Sequence, residues 1–588
     1  MENNEIARQL HEIADLLEIK GANPFRIRSY RNAALVIEGY PQSFKKLMEK
    51  GPEALKGIPG LGESMREKIV ELLATGRCSF HENLLSELPS GILDILKING
   101  VGPKKTSEFY RLLGIGSVAE LQEAALSGRI RELPGMGEKS EAKLLHAIES
   151  FKAVAGRFNL AFAWSEAAEL VEFISGLPGA GEVVVAGSLR RWQESIGDLD
   201  ILVASEHGAS VMKAFTTYRD VKEVLMEGPT KSTVILGSGF HVDLRVVGKS
   251  SFGAAWQYFT GSKAHNIALR ERARKMGLKI NEYGVFDKAG KSLAGATECD
   301  VYSAVGLPWI PPEIRQNNGE IEAAEEGRLP EPLEITELRG DLHSHTRRSD
   351  GAATIDEMAR AAMERGYEYL AVTDHSRSLT VANGLDTDRL CREMEAIDTF
   401  NEAMQMGGNP FRLLKGTEVD IRGDGTLDHP HELLSKLECV VAAVHSGFSM
   451  DSAAMTERII KAIRSGDIDI LAHPTGRLIS RRPAYAMDME AVMEAAAEFN
   501  VALELNSHPE RLDLKETHLR LAKELGLKVS ISTDSHSTAQ LSNMVYGLHM
   551  ARRGWLEPDN VLNTMGLKEF LAFIKSRRAA CKVKNREK

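Results

Sequence analysis

Nine residues in the C-terminal part of the chain are of the types that hold divalent cations through nitrogen and oxygen: His343, His345, Asp350, His375, Glu418, His445, His473, Asp534 and His536. A set without thiolate suits Zn²⁺, Mn²⁺ or Fe²⁺. Nine ligands exceed one tetrahedral site, so two or three ions are implied. Such a cage binds phosphate oxygens and activates water for in-line attack on phosphorus. One histidine after a strand is ordinarily a satisfied, half-buried imidazole; recurrence at successive strand ends is what points to a shared centre. A second constellation lies in AGSLRRWQESIGDLDILVA, residues 186–204, where Asp198 and Asp200 share one face of a strand-like run. Asp243 sits in another run, HVDLRVV. Three adjacent carboxylates repel one another unless cations hold them. Two Mg²⁺ or Mn²⁺ ions, about 3.5–4 Å apart, would resolve the repulsion and clamp the attacking and leaving oxygens of a phosphoryl transfer. Gly187 and Ser188, before a basic helix start, offer backbone N–H groups to a triphosphate, with Arg191 to balance its charge. A lone D-x-D is usually a solvated strand end; the upstream G-S and R-R and the downstream Asp243 set this one apart.

These residues need scaffolds. Seven strand-like segments, at 338–346, 369–375, 412–421, 439–446, 468–474, 501–507 and 528–536, are each followed by a helical stretch. That pattern predicts a (β/α)7 barrel, whose strand ends converge on one mouth. Alternation along a strand end makes His343 with His345, and Asp534 with His536, chelating pairs. His429, His431, His508, His518 and His549 lack this placement and read as surface or core histidines. Residues 155–315 mix strand-like runs with helices, an α+β pattern, and 311–337 are rich in Pro, Glu and Gly, as an exposed linker would be. The first 150 residues read as short helices carrying three copies of an apolar-Gly-x-Gly motif, with Gly60 and Gly62, Gly100 and Gly102, and Gly135 and Gly137.

The chain has 588 residues, 43% apolar and 27% charged, which implies several globular domains and excludes a collagenous or disordered polymer. Five cysteines without a C-x-x-C pair argue against a disulfide framework or a thiolate zinc finger. An acidic, amphipathic N-terminus and the lack of a long apolar run predict a cytoplasmic protein with no membrane partner. The net charge of −10 does not exclude nucleic acid, because a local face attracts phosphate.

The H-x-H opening, the lone Glu and His positions and the closing D-S-H resemble the polymerase-and-histidinol-phosphatase (PHP) domain, a distorted seven-fold barrel with a trinuclear metal site. All nine ligand positions of that pattern are filled here. The mid-chain segment resembles the nucleotidyltransferase palm of the family X DNA polymerases. That resemblance makes Asp198, Asp200 and Asp243 the catalytic metal triad. It gives Gly187, Ser188, Arg191 and Gly197, with Arg157, to the triphosphate. YFTGSKAHNIALRERARKMGLKINEYGVF resembles the family's thumb, which implies that Tyr258, Phe259 and Gly261 pack on the sugar, Asn266 faces the incoming base and Arg270 the template. Taken alone, the same stretch is an aromatic turn and a basic helix that could equally be a core staple and a solvated face. Trp192 stands where the family usually has glycine. The Gly-x-Gly copies resemble helix-hairpin-helix motifs, whose backbone N–H groups contact DNA phosphates without reading sequence. SYRNAALVIEGYP and EKIVELLATG resemble the family's lyase domain, with Lys68 as the Schiff-base candidate and Tyr30 as a pocket neighbour; Phe25, Arg26 and Ser64 thin its usual basic set.

The resemblance implies a multidomain chain: a lyase-like helical domain (1–80), helix-hairpin-helix fingers (81–152), an α+β palm (153–250), a thumb (251–312), a linker (313–336), the PHP barrel (337–575) and a basic tail (576–588). It implies a monomeric, gap-filling DNA polymerase for base-excision repair. Its substrates would be gapped or primer-template DNA and deoxynucleoside triphosphates. The barrel would add 3′-5′ exonuclease, 3′-phosphatase or abasic-site endonuclease activity. Two rivals stay open: a repair nuclease or phosphatase whose palm only grips DNA, and a non-catalytic DNA-binding scaffold.

Overall fold

The computed structural model describes residues 3–38, 44–49, 51–58, 60–98, 100–154 and 157–587. The N-terminal region is all helical around its own core, in which Leu10, Ala33, Ile69, Phe109 and Leu121 are fully buried. Each Gly-x-Gly copy takes the same shape. Gly60, Gly100 and Gly135 have φ of +87°, +78° and +76°, a left-handed turn that a side chain would resist. The second glycine of each pair then precedes the helices Glu63–Thr75, Pro103–Leu113 and Glu138–Val154. All six glycines are exposed, so the free N–H groups of those helix starts face solvent.

The palm is a five-stranded sheet in the order Val183–Val185, Asp198–Ala204, His241–Val247, Lys231–Leu236, Val221–Met226. The two strands carrying the aspartates run parallel, with Asp200 directly opposite Asp243. Alternation buries Leu199, Ile201 and Val203 on the other face against the helix Leu160–Ser175. The thumb packs the helices Phe252–Thr260 and Lys263–Lys275 with a three-stranded sheet.

Seven parallel strands in sequential order form the C-terminal barrel. The seam is drawn together where Ser344 bridges Ser535 and the His345 N–H donates to the Ser535 carbonyl at 2.8 Å. Strand interiors such as Tyr369–Val372, Cys439–Ala443 and Val529–Ser532 are fully buried, as a parallel sheet covered by helices requires. No helix among the described residues is long and apolar enough to cross a membrane.

Two expectations are corrected. The stretch expected as an exposed linker is packed structure: Arg315, Glu320 and Leu333 are fully buried, and Glu320–Glu325 is helical. Its polar residues are there to be paired. Arg315 Nη1 bonds Glu298 at 2.7 Å, and Glu320 accepts from the N–H groups of Asn317 and Asn318. Glu298 also takes a bidentate bond from Arg190, and two guanidinium groups outweigh the cost of burial and hold its carboxyl down at about 2. The basic tail is the end of the helix Leu567–Glu587. Arg577 and Arg578 both clamp buried Asp469, so the start of the tail is packed onto the barrel. The side chains of Lys584 and Arg586, and Lys588 itself, lie outside the described residues.

Candidate functional site

In the palm, pairing of the parallel strands brings the three aspartates together. Asp198 is exposed, while Asp200 and Asp243 are half-buried. Burial first, then the charges of Asp198 and Asp243, push the Asp200 carboxyl up to about 7. Asp243 is balanced by the chain itself, with Lys231 Nζ at 2.7 Å and the Thr233 hydroxyl donating at 2.6 Å. Neither partner was evident from sequence, because both lie on a neighbouring strand whose register only the fold sets.

Gly187 has φ +60°, and a Cβ there would fall 2.2 Å from Asp200 Oδ2. The glycine lets the turn lie against the carboxylate. Beside it the Ser188 hydroxyl is buried without a hydrogen-bond partner, as is Arg191 Nε. Arg191 Nη1 donates to the Thr260 carbonyl, and a Cβ on Gly261 would come 3.1 Å from the same nitrogen. The loop 187–191 and the thumb turn 258–261 thus lie against each other. Burial, then the nearby Arg553, lowers Arg191 to about 10. Arg157 lies at the outer edge, its guanidinium on Ser195 and near Gly197. Tyr258 and Phe259 meet edge to face at 5.1 Å. Asn266 turns inward: it donates to the Tyr258 carbonyl at 2.7 Å and accepts from Gln257 at 2.8 Å, while the exposed Arg270 bonds the Asn266 carbonyl.

In the barrel the nine residues converge. His345, Asp350, His375 and His536 form one group with ligand atoms within 4.8 Å of one another; His343, His345 and Asp534 form a second, and His375, Glu418 and His445 a third. Shared members fuse the groups into one cluster, which His473 joins 3.0 Å from Glu418. It sits at the base of a cavity of about 260 Å³ whose rim carries Leu379, Val381 and Arg511. The donor set fits bound cations. His343 Nε2 and His345 Nδ1 are buried with no hydrogen-bond partner, and the opposite ring nitrogens of several ligands are held by other groups. Glu504 holds His343 Nδ1 at 2.6 Å, Asp420 holds His445 Nδ1 at 2.6 Å, and the Asp534 carbonyl holds His536 Nδ1 at 2.8 Å.

Burial disfavours the charged imidazoles here, yet Glu418 and Asp350 raise His375 to about 10, and Glu418 and Asp420 raise His445 to about 9. Burial also opposes the His343 cation, but Glu504, Asp534 and Glu418 hold it well above its ordinary range. His345, crowded by burial, His536 and His375, falls to about 4. His473 and Asp534 have positive φ, +27° and +53°, a backbone strain suited to aiming side chains into a site. Asp374, next to His375 at the strand end, instead accepts from the Thr346 N–H and hydroxyl and so anchors the turn leading to Asp350.

Four family descriptions match the chain: a helix-hairpin-helix domain over residues 1–78, a SAM-like helix-hairpin-helix tandem over 92–150, the DNA polymerase beta thumb over 255–316 and the PHP domain over 341–508. The DNA polymerase/3′-5′ exonuclease PolX of Bacillus subtilis (strain 168) is 38% identical over 578 residues, 98% of this chain and 100% of that protein. The chain belongs to the PolX family. Probable phosphatases of Shewanella sp. (strain MR-4) and Thermoanaerobacter sp. (strain X514) match at 31% and 30% identity, each over 248 residues. The matches span 40% and 39% of this chain and 90% and 93% of theirs.

In this PolX chain the N-terminal candidates are placed more loosely. Tyr30 is buried and stacks on Phe80 at 5.9 Å, and the ammonium of Lys68 lies 5.3 Å from the same ring. Lys68 hydrogen-bonds the hydroxyl and carbonyl of Ser64, one turn back. Trp192 has φ +53°, the region glycine favours, so its backbone accounts for the family's usual glycine and leaves the tryptophan to be held by its surroundings. His549, expected as an ordinary histidine, is its partner, stacked face to face at 3.6 Å with the planes 7° apart.

Proposed function

We propose that the palm extends a primer 3′-hydroxyl across short gaps in repair and that the barrel hydrolyses phosphodiesters at 3′ ends of the same DNA. The register of Asp200 opposite Asp243, with Gly187 pressed against Asp200, carries the first half of this reading. Asp198, Asp200 and Asp243 would hold two Mg²⁺ or Mn²⁺ ions, which when bound supply charge neutralisation for the pentavalent transition state and lower the pKa of the attacking hydroxyl. Ser188, the N–H groups after Gly187 and Arg191 would bind the triphosphate of the incoming deoxynucleotide. Tyr258, Phe259 and Gly261 would bound its sugar. Opening of the Asn266 amide from Gln257 and Tyr258 would precede contact with the base. The exposed Gly-x-Gly turns would grip phosphates on either side of the gap.

In the barrel, His343, His345, Asp350, His375, Glu418, His445, His473, Asp534 and His536 would hold two or three ions of Zn²⁺, Mn²⁺ or Fe²⁺. With ions bound, Glu504 and Asp420 would accept from Nδ1 of His343 and His445 and leave each Nε2 to a metal. The cluster lines a cavity of about 260 Å³, where a terminal phosphodiester would be hydrolysed. The same chemistry extends to 3′-phosphates and abasic sites. Lys68, beside Tyr30 and Phe80, is the candidate for lyase action.

The test is a labelled one-nucleotide gap with Mn²⁺ and deoxynucleotides. Asp198→Ala/Asp200→Ala removes elongation and leaves degradation at the wild-type rate. Unchanged elongation in that variant refutes the palm assignment.

A further inference from the structure

Beyond its own metal cluster, the barrel grips the palm at the point where the triphosphate would lie. We infer that the barrel helix Met544–Arg553 positions the palm loop 187–192 for nucleotide binding, through Trp192, His549 and Arg553. The inference rests on the reading that this loop holds the triphosphate.

Trp192 directly follows Arg191 and occupies a left-handed backbone conformation that a bulky residue adopts only when its surroundings impose it. Three rings impose it. His549 lies parallel at 3.6 Å, Trp164 of the palm packs at 4.8 Å, and Tyr546 of the same barrel helix meets it edge-on at 6.2 Å. His549 is fixed in turn, because its Nδ1 lies 2.8 Å from Glu313, which also accepts from Arg552 at 3.2 Å. One turn along the helix, Arg553 is buried, donates to the Arg191 carbonyl at 2.7 Å and pairs with Glu516 at 2.7 Å. The residue proposed to meet the triphosphate is therefore held by its carbonyl from the barrel, and the next residue is held by its ring. The loop also meets the thumb, where Arg191 donates to the Thr260 carbonyl and Arg190 to the Thr260 hydroxyl and Glu298.

A loop fixed from outside its own domain keeps its donors in place before the nucleotide arrives, so the free energy of ordering is not drawn from binding. The barrel residues touch no reacting atom and are positioning residues. Loosening them raises KM for the deoxynucleotide more than it lowers kcat, and leaves hydrolysis in the barrel unaltered.

The experiment is steady-state gap filling with the full chain, together with exonuclease rates on the same DNA and thermal melting to establish folding. His549→Ala is expected to raise KM for the nucleotide about tenfold with kcat within about twofold. His549→Phe, which keeps a ring against Trp192 without the Glu313 bond, is expected to recover most of that loss. Trp192→Gly, which relieves the backbone and removes the stack, is the second variant should His549→Ala fail to fold. It too is expected to raise KM. Arg191→Ala separates the two claims. If Arg191→Ala leaves KM unchanged, the loop does not hold the triphosphate and the underlying reading falls. If Arg191→Ala raises KM while folded His549→Ala and Trp192→Gly do not, the barrel helix is mere packing and the inference is overturned.

Discussion

The palm and the barrel both gather anionic side chains, but they manage the charge in opposite ways. The palm presents three carboxylates on two interior strands of its sheet, with Asp198 exposed, relieved by Lys231, Thr233 and partial protonation of Asp200 at about 7. The barrel buries Glu418 and Asp534 and surrounds them with imidazoles whose cations they stabilise, so that Glu418 lies well below its ordinary range despite complete burial. The lesson concerns pre-organisation. An open site can assemble its cations together with the substrate, whereas a buried site must exchange protons for metal before any substrate arrives.

The largest effect expected from this contrast is independence. His343→Ala/His345→Ala should lower exonuclease turnover about a thousandfold with elongation intact, read on one labelled primer. Equal loss of both activities would erase the distinction between the sites. Next is Gly187→Ala, whose Cβ would stand 2.2 Å from Asp200 Oδ2 at a positive φ. A misplacement of this kind should cost elongation on the order of a hundredfold and spare degradation.

Titration sharpens the comparison further. Loading the metal-free barrel at pH 7.5 should release about three protons, from His343, His375 and His445, measured by calorimetry in buffers of different ionisation enthalpy. Those raised imidazoles add stability to the metal-free barrel that is complete below about pH 6.5, their unfolded value, and is lost as pH climbs through 9 to 10. The palm behaves otherwise. Asp200 must lose a proton with a pKa near 7, so Mg²⁺ affinity should rise about tenfold between pH 6 and pH 8. The smallest effect is expected from Lys68→Ala. This lysine already hydrogen-bonds Ser64, so binding of a gap with a 5′-phosphate should weaken only about threefold.

Much of this was legible in the sequence, for definite reasons. Ligands at strand ends fall at recurring positions in a βα repeat, so His343 to His536 could be found without coordinates. The D-x-D spacing placed Asp198 and Asp200 on one face because strand alternation is local. What sequence concealed depends on packing between distant segments. Lys231 opposes Asp243 only through strand register, and Glu504 and Asp420 become partners of His343 and His445 only when the barrel curls. Composition misled at 311–337, where buried Arg315 and Glu320 look like linker residues until Glu298 and His265 supply their partners. Trp192 looked like a departure from pattern, and its meaning lay in His549, more than 350 residues away.

The most direct measurement is an anomalous-scattering map of Mn²⁺-loaded crystals with gapped DNA and a non-hydrolysable deoxynucleotide. The account predicts two peaks among Asp198, Asp200 and Asp243 and a separate group of two or three among the nine barrel residues. Manganese at only one of the two places, or bridging protein groups outside both sets, would contradict it.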